Sequence, residues 1–153
     1  MNGQGRVLTA IGSGVAGASA LTVLHETVRR FAPNAPRMDV LGMRAIAGVM
    51  RKLGKTPPPE RPLHDITLAG DLVANSLYYS LVGTQRGAAA WAMGALLGVG
   101  AGLGALLLPG PLGLGNDAGR RTRATGVMTV AWYLVGGLAA AATASLLNSS
   151  DEE

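Results

Sequence analysis

Three stretches of this chain, Val7 to Leu24, Gly87 to Leu108 and Ala124 to Leu147, contain no Asp, Glu, Lys or Arg. At 1.5 Å per residue, a helix of such a length reaches across roughly 30 Å of hydrocarbon. A water-facing surface needs charge, and a soluble domain carries about 25% charged residues. Here the share is 14%, against 48% hydrophobic residues. The 23 glycines fit the same setting, because small residues let membrane helices approach closely while they weaken a soluble helix. The chain therefore reads as an all-α integral membrane protein.

Four spans are expected, at about 7–28, 65–83, 87–108 and 124–147, forming one four-transmembrane-helix bundle that occupies the whole chain. The first could instead be a cleavable signal, with Ala18-Ser19-Ala20 as its processing site, but the glycine-broken run favours a retained helix. The second, Asp65 to Val82, is the most polar, holding Asp71, Asn75, Ser76 and Ser80. Gly83-Thr84-Gln85-Arg86 is short enough to make spans two and three an antiparallel hairpin. In the third, Gly94, Gly98 and Gly102 repeat the G-x-x-x-G spacing of close helix contacts, with Gly100 and Gly104 beside them.

Between spans one and two, Met38, Leu41, Ala45, Ile46, Val49, Met50 and Leu53 fall on one face of a helix expected over about 36–53. Pro36 suits a first helical position and Gly54 a stop. Too short and too charged to span, it reads as an amphipathic interfacial helix whose Arg37, Arg44, Arg51 and Lys52 meet an anionic inner leaflet, the alternative being a soluble cap packed on the bundle. Thr56-Pro57-Pro58-Pro59 is a stiff linker back to the membrane.

Charge sets the expected orientation. Arg29, Arg30, Arg37, Arg44, Arg51, Lys52, Lys55, Arg61, Arg120, Arg121 and Arg123 all fall in the loops after spans one and three, leaving only Arg6 and Arg86 elsewhere. An even number of crossings separates those loops, so both face the cytoplasm of an inner (cytoplasmic) membrane protein, with both termini outside. That placement also accounts for the pI of about 10.1 without nucleic acid as a partner. The absence of Cys excludes disulfides, thiolate metal sites and cysteine nucleophiles.

Charged groups within spans are the strongest functional pointers, since each costs about 2.5–3.5 kcal/mol to insert. Asp71 stands out, with Asn75 at i+4, Tyr78 at i+7 and His64 at i−7 along one side of span two. Such a stripe suits an ion, proton or polar-ligand site; the structural alternative is an interhelical anchor in which an inner-loop arginine holds Asp71. His25 and Glu26 close the inner end of span one, at the depth of His64, Asp65 and Asp71. These atom types suit Zn²⁺ or Mn²⁺, but no H-E-x-x-H or E-x-x-H spacing occurs, and no metal or cofactor is expected. Gly12-Ser13-Gly14-Val15-Ala16-Gly17 matches G-x-G-x-x-G, yet no strand precedes it, so close helix packing is the better account.

The expected function is a homo-oligomeric transport or permeation unit for an ion or small polar solute, self-associating through its glycine faces. Asp71 would bind the cargo, Asn75 and Tyr78 orient it, and Glu26 with His25 form an inner gate. The alternatives are an accessory subunit of a larger membrane complex and a lipid-acting membrane enzyme using the His/carboxylate cluster.

Overall fold

The computed structural model describes residues 3–149, in which every regular element is a helix. The elements are α1 (Gly3–Val28), α2 (Met38–Lys52), α3 (Glu60–Ser80), a 3₁₀ turn (Val82–Thr84), α4 (Ala88–Leu107), α5 (Asp117–Arg120) and α6 (Arg123–Ser149). Among them α1, α4 and α6 are long and apolar enough to cross a membrane.

The glycines decide which helices meet. A methyl group placed on Gly98 would lie 2.7 Å from the Leu134 Cα, and one on Gly102 2.7 Å from the Val130 Cα. Gly94 lies directly against Gly137. These contacts advance along α4 as they retreat along α6, so the two helices run antiparallel with their backbones nearly touching. On the other side of α6, Gly17 of α1 faces the Gly136 carbonyl, while Gly14 lies against the backbone of Ser76 and Ser80 in α3. The helices thus run α3, α1, α6, α4 across the bundle. Gly14, Gly17, Gly94, Gly98 and Gly102 are used within the chain, because backbone-to-backbone approach is available only where both surfaces lack side chains, whereas Gly100 is left exposed.

The expected antiparallel hairpin forms, but its two arms pack little on one another. Gly87, at φ +53°, turns the chain into α4, but α3 packs chiefly on α1 and α4 on α6. One direct link between α3 and α4 is the Tyr78 hydroxyl, which donates to the Leu97 carbonyl at 3.1 Å. Tyr79, fully buried, donates to the Tyr133 carbonyl of α6 at 2.7 Å. Tyr79→Phe is expected to cost about 1 kcal/mol, the net worth of one hydrogen bond, read as a small drop in the unfolding midpoint in detergent.

Helix α3 turns its polar side inward. From Ile66 to Leu81 every exposed residue is Ile, Leu, Val, Ala or Gly, whereas Thr67, Asp71, Asn75 and Ser76 are buried or half-buried. It begins at Glu60, five residues before the expected start, because Pro62 falls in the first turn, where its missing N–H has no helical partner to lose.

The cap at one end is built from α2 and α5. Helix α2 starts at Met38 rather than Pro36, since the Arg37 N–H is drawn away to the Ala118 carbonyl at 2.9 Å. It stops as expected: Gly54, at φ +69°, donates to the Arg51 carbonyl and Lys55 to the Met50 carbonyl, a closure that needs a left-handed residue. Arg44 grips Asp117 with two hydrogen bonds of 2.7 and 3.0 Å and the Leu114 carbonyl with a third. Arg121 donates to the Pro33 carbonyl. Two of the arginines expected to meet lipid, Arg37 and Arg44, are thus engaged by carboxylates of the chain itself, while Arg51 and Lys52 are exposed.

Candidate functional site

At the end of α1, Thr22, His25 and Glu26, with Arg29 just beyond its last residue, follow one face at i, i+3, i+4 and i+7. On α3, His64, Thr67, Leu68 and Asp71 repeat the same spacing. The two helices run antiparallel, so these faces meet at the end of the bundle that carries the cap. Pro36, Met38 and Asp39 close over them, and together they enclose a cavity of about 30 Å³. The structure therefore brings together His25, Glu26, His64 and Asp71, four of the residues singled out in the sequence. Asn75 lies next to Asp71 without lining the cavity, and Tyr78 is turned to α4. Asp65 points outward, its side chain 74% exposed, with its Oδ1 3.7 Å from His64 Nδ1.

An ion-pair network spans the rim. Arg29 donates to Glu26 Oε2 at 2.7 Å and to Asp39 Oδ2 at 3.1 Å. Arg37 reaches the same carboxylate from outside, Nε to Oδ1 at 3.0 Å and Nη2 to Oδ2 at 2.9 Å. The Asp39 side chain is only 6% exposed. Burial works to raise its carboxyl pKa, but the Arg37 hydrogen bonds and charge, the Val40 N–H and the Arg29 charge outweigh that and hold it below its ordinary value. The hydrogen bond to Asp39 in turn raises Arg37.

The arginine that reaches the cavity is thus taken by Glu26 and Asp39. The anchored form of Asp71, held by an inner-loop arginine, is not what the packing produces. Asp71 makes no ion pair among the described residues. With neutral imidazoles, the three carboxylates Glu26, Asp39 and Asp71 exceed the two guanidiniums of Arg29 and Arg37 by one negative charge.

Several polar atoms at this site have no protein partner. Thr22 Oγ1, His25 Nε2, Arg29 Nε and His64 Nε2 are all buried and unbonded, and all four residues line the cavity. His25 is 8% exposed, its ring 4.9 Å from that of Trp132 and 5.8 Å from that of Tyr133. A buried donor or acceptor left unpaired costs roughly 1–3 kcal/mol, so four around one void mark a place built for a polar occupant. Among the described residues no group of three or more His, Asp and Glu gathers closely enough to hold a metal ion.

Outside the cavity lies an open vestibule of about 390 Å³ between α2 and the start of α3, lined in part by Glu60, Arg61 and Asp65. Arg29, Asp39 and His64 line both spaces and form the wall between them. The sequence pointed to the α1 and α3 residues through intramembrane charge, but Arg29, Asp39, Thr22 and Thr67 were not singled out for the site. One signal for Asp39 was present: it is the single acidic residue between Glu26 and Glu60. Comparison of the chain with protein-family models, curated proteins and solved structures finds no match to any of them.

Proposed function

We propose that this protein is a small transport or permeation unit of a membrane, and that the cavity between α1 and α3 is where its ion or small polar solute rests. In this reading α3 is a fourth span. Its inward polar and outward apolar faces support that, because a helix in lipid satisfies its polar groups against its neighbours. The cap, with its concentration of basic residues, faces the cytoplasm, and α2 lies at the interface with Arg51 and Lys52 toward anionic headgroups. The termini are then both on the far side.

The observation that carries the reading is Asp71, a carboxylate with Asn75 beside it and no ion-pair partner among the described residues, lining a void whose other lining residues carry unbonded polar atoms, one wall away from an open vestibule. Beyond Asp71, toward the far side, the path narrows where Gly14 lies against the Ser76 and Ser80 backbone. One chain is therefore closed at that level, and passage needs either a helix movement or a route completed by further copies of the chain.

The test is flux through vesicles containing the purified protein, using Na⁺, K⁺, H⁺ and glycerol as separate probes. Wild-type protein is expected to pass at least one of them, and Asp71→Asn to reduce that flux about tenfold or more. A folded protein that passes none, or full flux in the variant, contradicts the proposal. Native mass spectrometry in mild detergent decides between a homo-oligomer and a monomer awaiting a partner complex.

A further inference from the structure

We propose that the cavity holds water and that the species it conducts is the proton, with His64 and Asp71 as the relaying groups. The inference rests on the transport reading above and names its cargo.

Size excludes most occupants. A water molecule needs roughly 10–15 Å³ of such space, so a cavity of about 30 Å³ admits one or two waters and no organic solute. The unbonded atoms then discriminate among the small species. Arg29 Nε–H is a donor and needs an acceptor, which a metal cation cannot be. Thr22 Oγ1 can donate or accept, and a neutral imidazole nitrogen without hydrogen must accept. An anion would answer Arg29, but it would face Glu26, Asp39 and Asp71 together. Water serves donor and acceptor alike, and a protonated water adds the positive charge that the excess carboxylate favours.

The groups are ordered from the vestibule inward. His64 lines both spaces, with its Nδ1 3.7 Å from the exposed Asp65 carboxylate and its Nε2 among the buried unbonded atoms. A proton arriving in the vestibule binds His64 Nδ1, the hydrogen on Nε2 passes to cavity water, and that water gives a proton to the Asp71 carboxylate, which becomes neutral; tautomer exchange then resets His64. From neutral Asp71 the proton leaves toward the far side through water admitted when the α1–α3 contact at Gly14 opens, so the carboxylate is restored and one proton has crossed. The charged and titratable groups facing this relay are His25, Glu26 and Arg29 on α1, Asp39 with its partner Arg37 on the cap, and Asp65 on α3; Tyr133 of α6 packs against His25. The Arg29–Glu26–Asp39 network holds Arg29 in the wall between vestibule and cavity.

The experiment uses full-length protein in pyranine-loaded vesicles, with a K⁺ gradient and valinomycin supplying the driving voltage. Proton flux above protein-free vesicles is expected, falling about tenfold or more in both Asp71→Asn and His64→Gln and retained in Asp71→Glu, which keeps a titratable carboxyl. Arg86→Gln, far from the cavity, serves as the unchanged control. Far-UV circular dichroism and gel filtration establish that each variant is folded; should Asp71→Asn fail there, His64→Gln decides alone. Proton flux insensitive to both substitutions overturns the inference. Na⁺, K⁺ or glycerol flux without proton flux also overturns it while leaving the transport reading intact. A folded wild-type protein that passes no probe overturns both.

Discussion

Replacing Gly94 with leucine is expected to leave little folded protein in detergent. A Cβ on Gly94 falls on the Gly137 carbonyl oxygen, with the Ala141 Cβ 3.1 Å away, and a Cβ on Gly137 falls on the Gly94 carbonyl. The obstacle is backbone on both sides, so no side chain can swing aside. Relief requires α4 and α6 to separate, which also opens the contacts of Gly98 with Leu134 and of Gly102 with Val130. Overpacking costs about 1–3 kcal/mol where neighbours can yield, so a rigid seam of this length puts the loss at about 3 kcal/mol or more. In lipid, packing is the principal force between helices, and little else compensates. Gly100→Ala is the matched control: its nearest neighbour is the Tyr78 hydroxyl at 3.7 Å, so its effect should stay within about 0.5 kcal/mol. Thermal unfolding followed by gel filtration reads both. An unshifted midpoint for Gly94→Leu would mean that α4 does not lie against α6 in this way.

Asp39→Asn is expected to release α2 from the bundle. The Asp39 carboxylate is nearly enclosed and binds two guanidiniums at once, Arg29 from α1 and Arg37 from the start of α2. Without its charge, Arg37 has only water, and Arg29 retains Glu26 alone. Breaking a buried pair costs about 3–5 kcal/mol, but Arg37 is half exposed and Arg29 keeps one partner, so roughly 2 kcal/mol is the expected loss. Faster hydrogen exchange across Met38–Lys52, with α6 unchanged, would show that the effect is confined to the cap. The pH dependence has a definite sign. The folded-state pKa of Asp39 lies below its ordinary value of 3.8, so its contribution is whole above that value and is lost as pH falls through the lower, folded one. The difference in unfolding midpoint between wild type and Asp39→Asn should hold steady from pH 7 to about pH 5 and close below pH 3.8. A difference that instead vanished near neutral pH would place the titrating group elsewhere.

Much of the architecture was legible because it depends on local pattern. Charge-free runs of sufficient length marked α1, α4 and α6 to within a few residues, and the left-handed Gly54 ended α2 where expected. The clustering of basic residues placed two distant loops at one end, and there Arg44 and Asp117 meet across 73 residues. Helix α3 was harder, since its inward polar face lowers its apolar average, although its outward face from Ile66 onward is apolar.

Partner choice was a different matter. A row of glycines announces that something comes close, not what, and Gly94, Gly98 and Gly102 serve a helix of the same chain rather than a second copy. The pairing of Arg29 with Asp39 was equally hidden, because it depends on how the loop after α1 folds Pro36 and Asp39 back over the cavity. Tyr78 shares a helical stripe with Asp71 by spacing, yet reaches Leu97 because α4 lies on that side. Length, polarity and turn chemistry act over a few residues, so the sequence by itself determined where the helices lie and which end carries the charge. Which faces meet, and that Asp71 lines a void with no ion-pair partner among the described residues, only the tertiary structure decided, because both depend on shape and charge contributed by segments far apart in the chain.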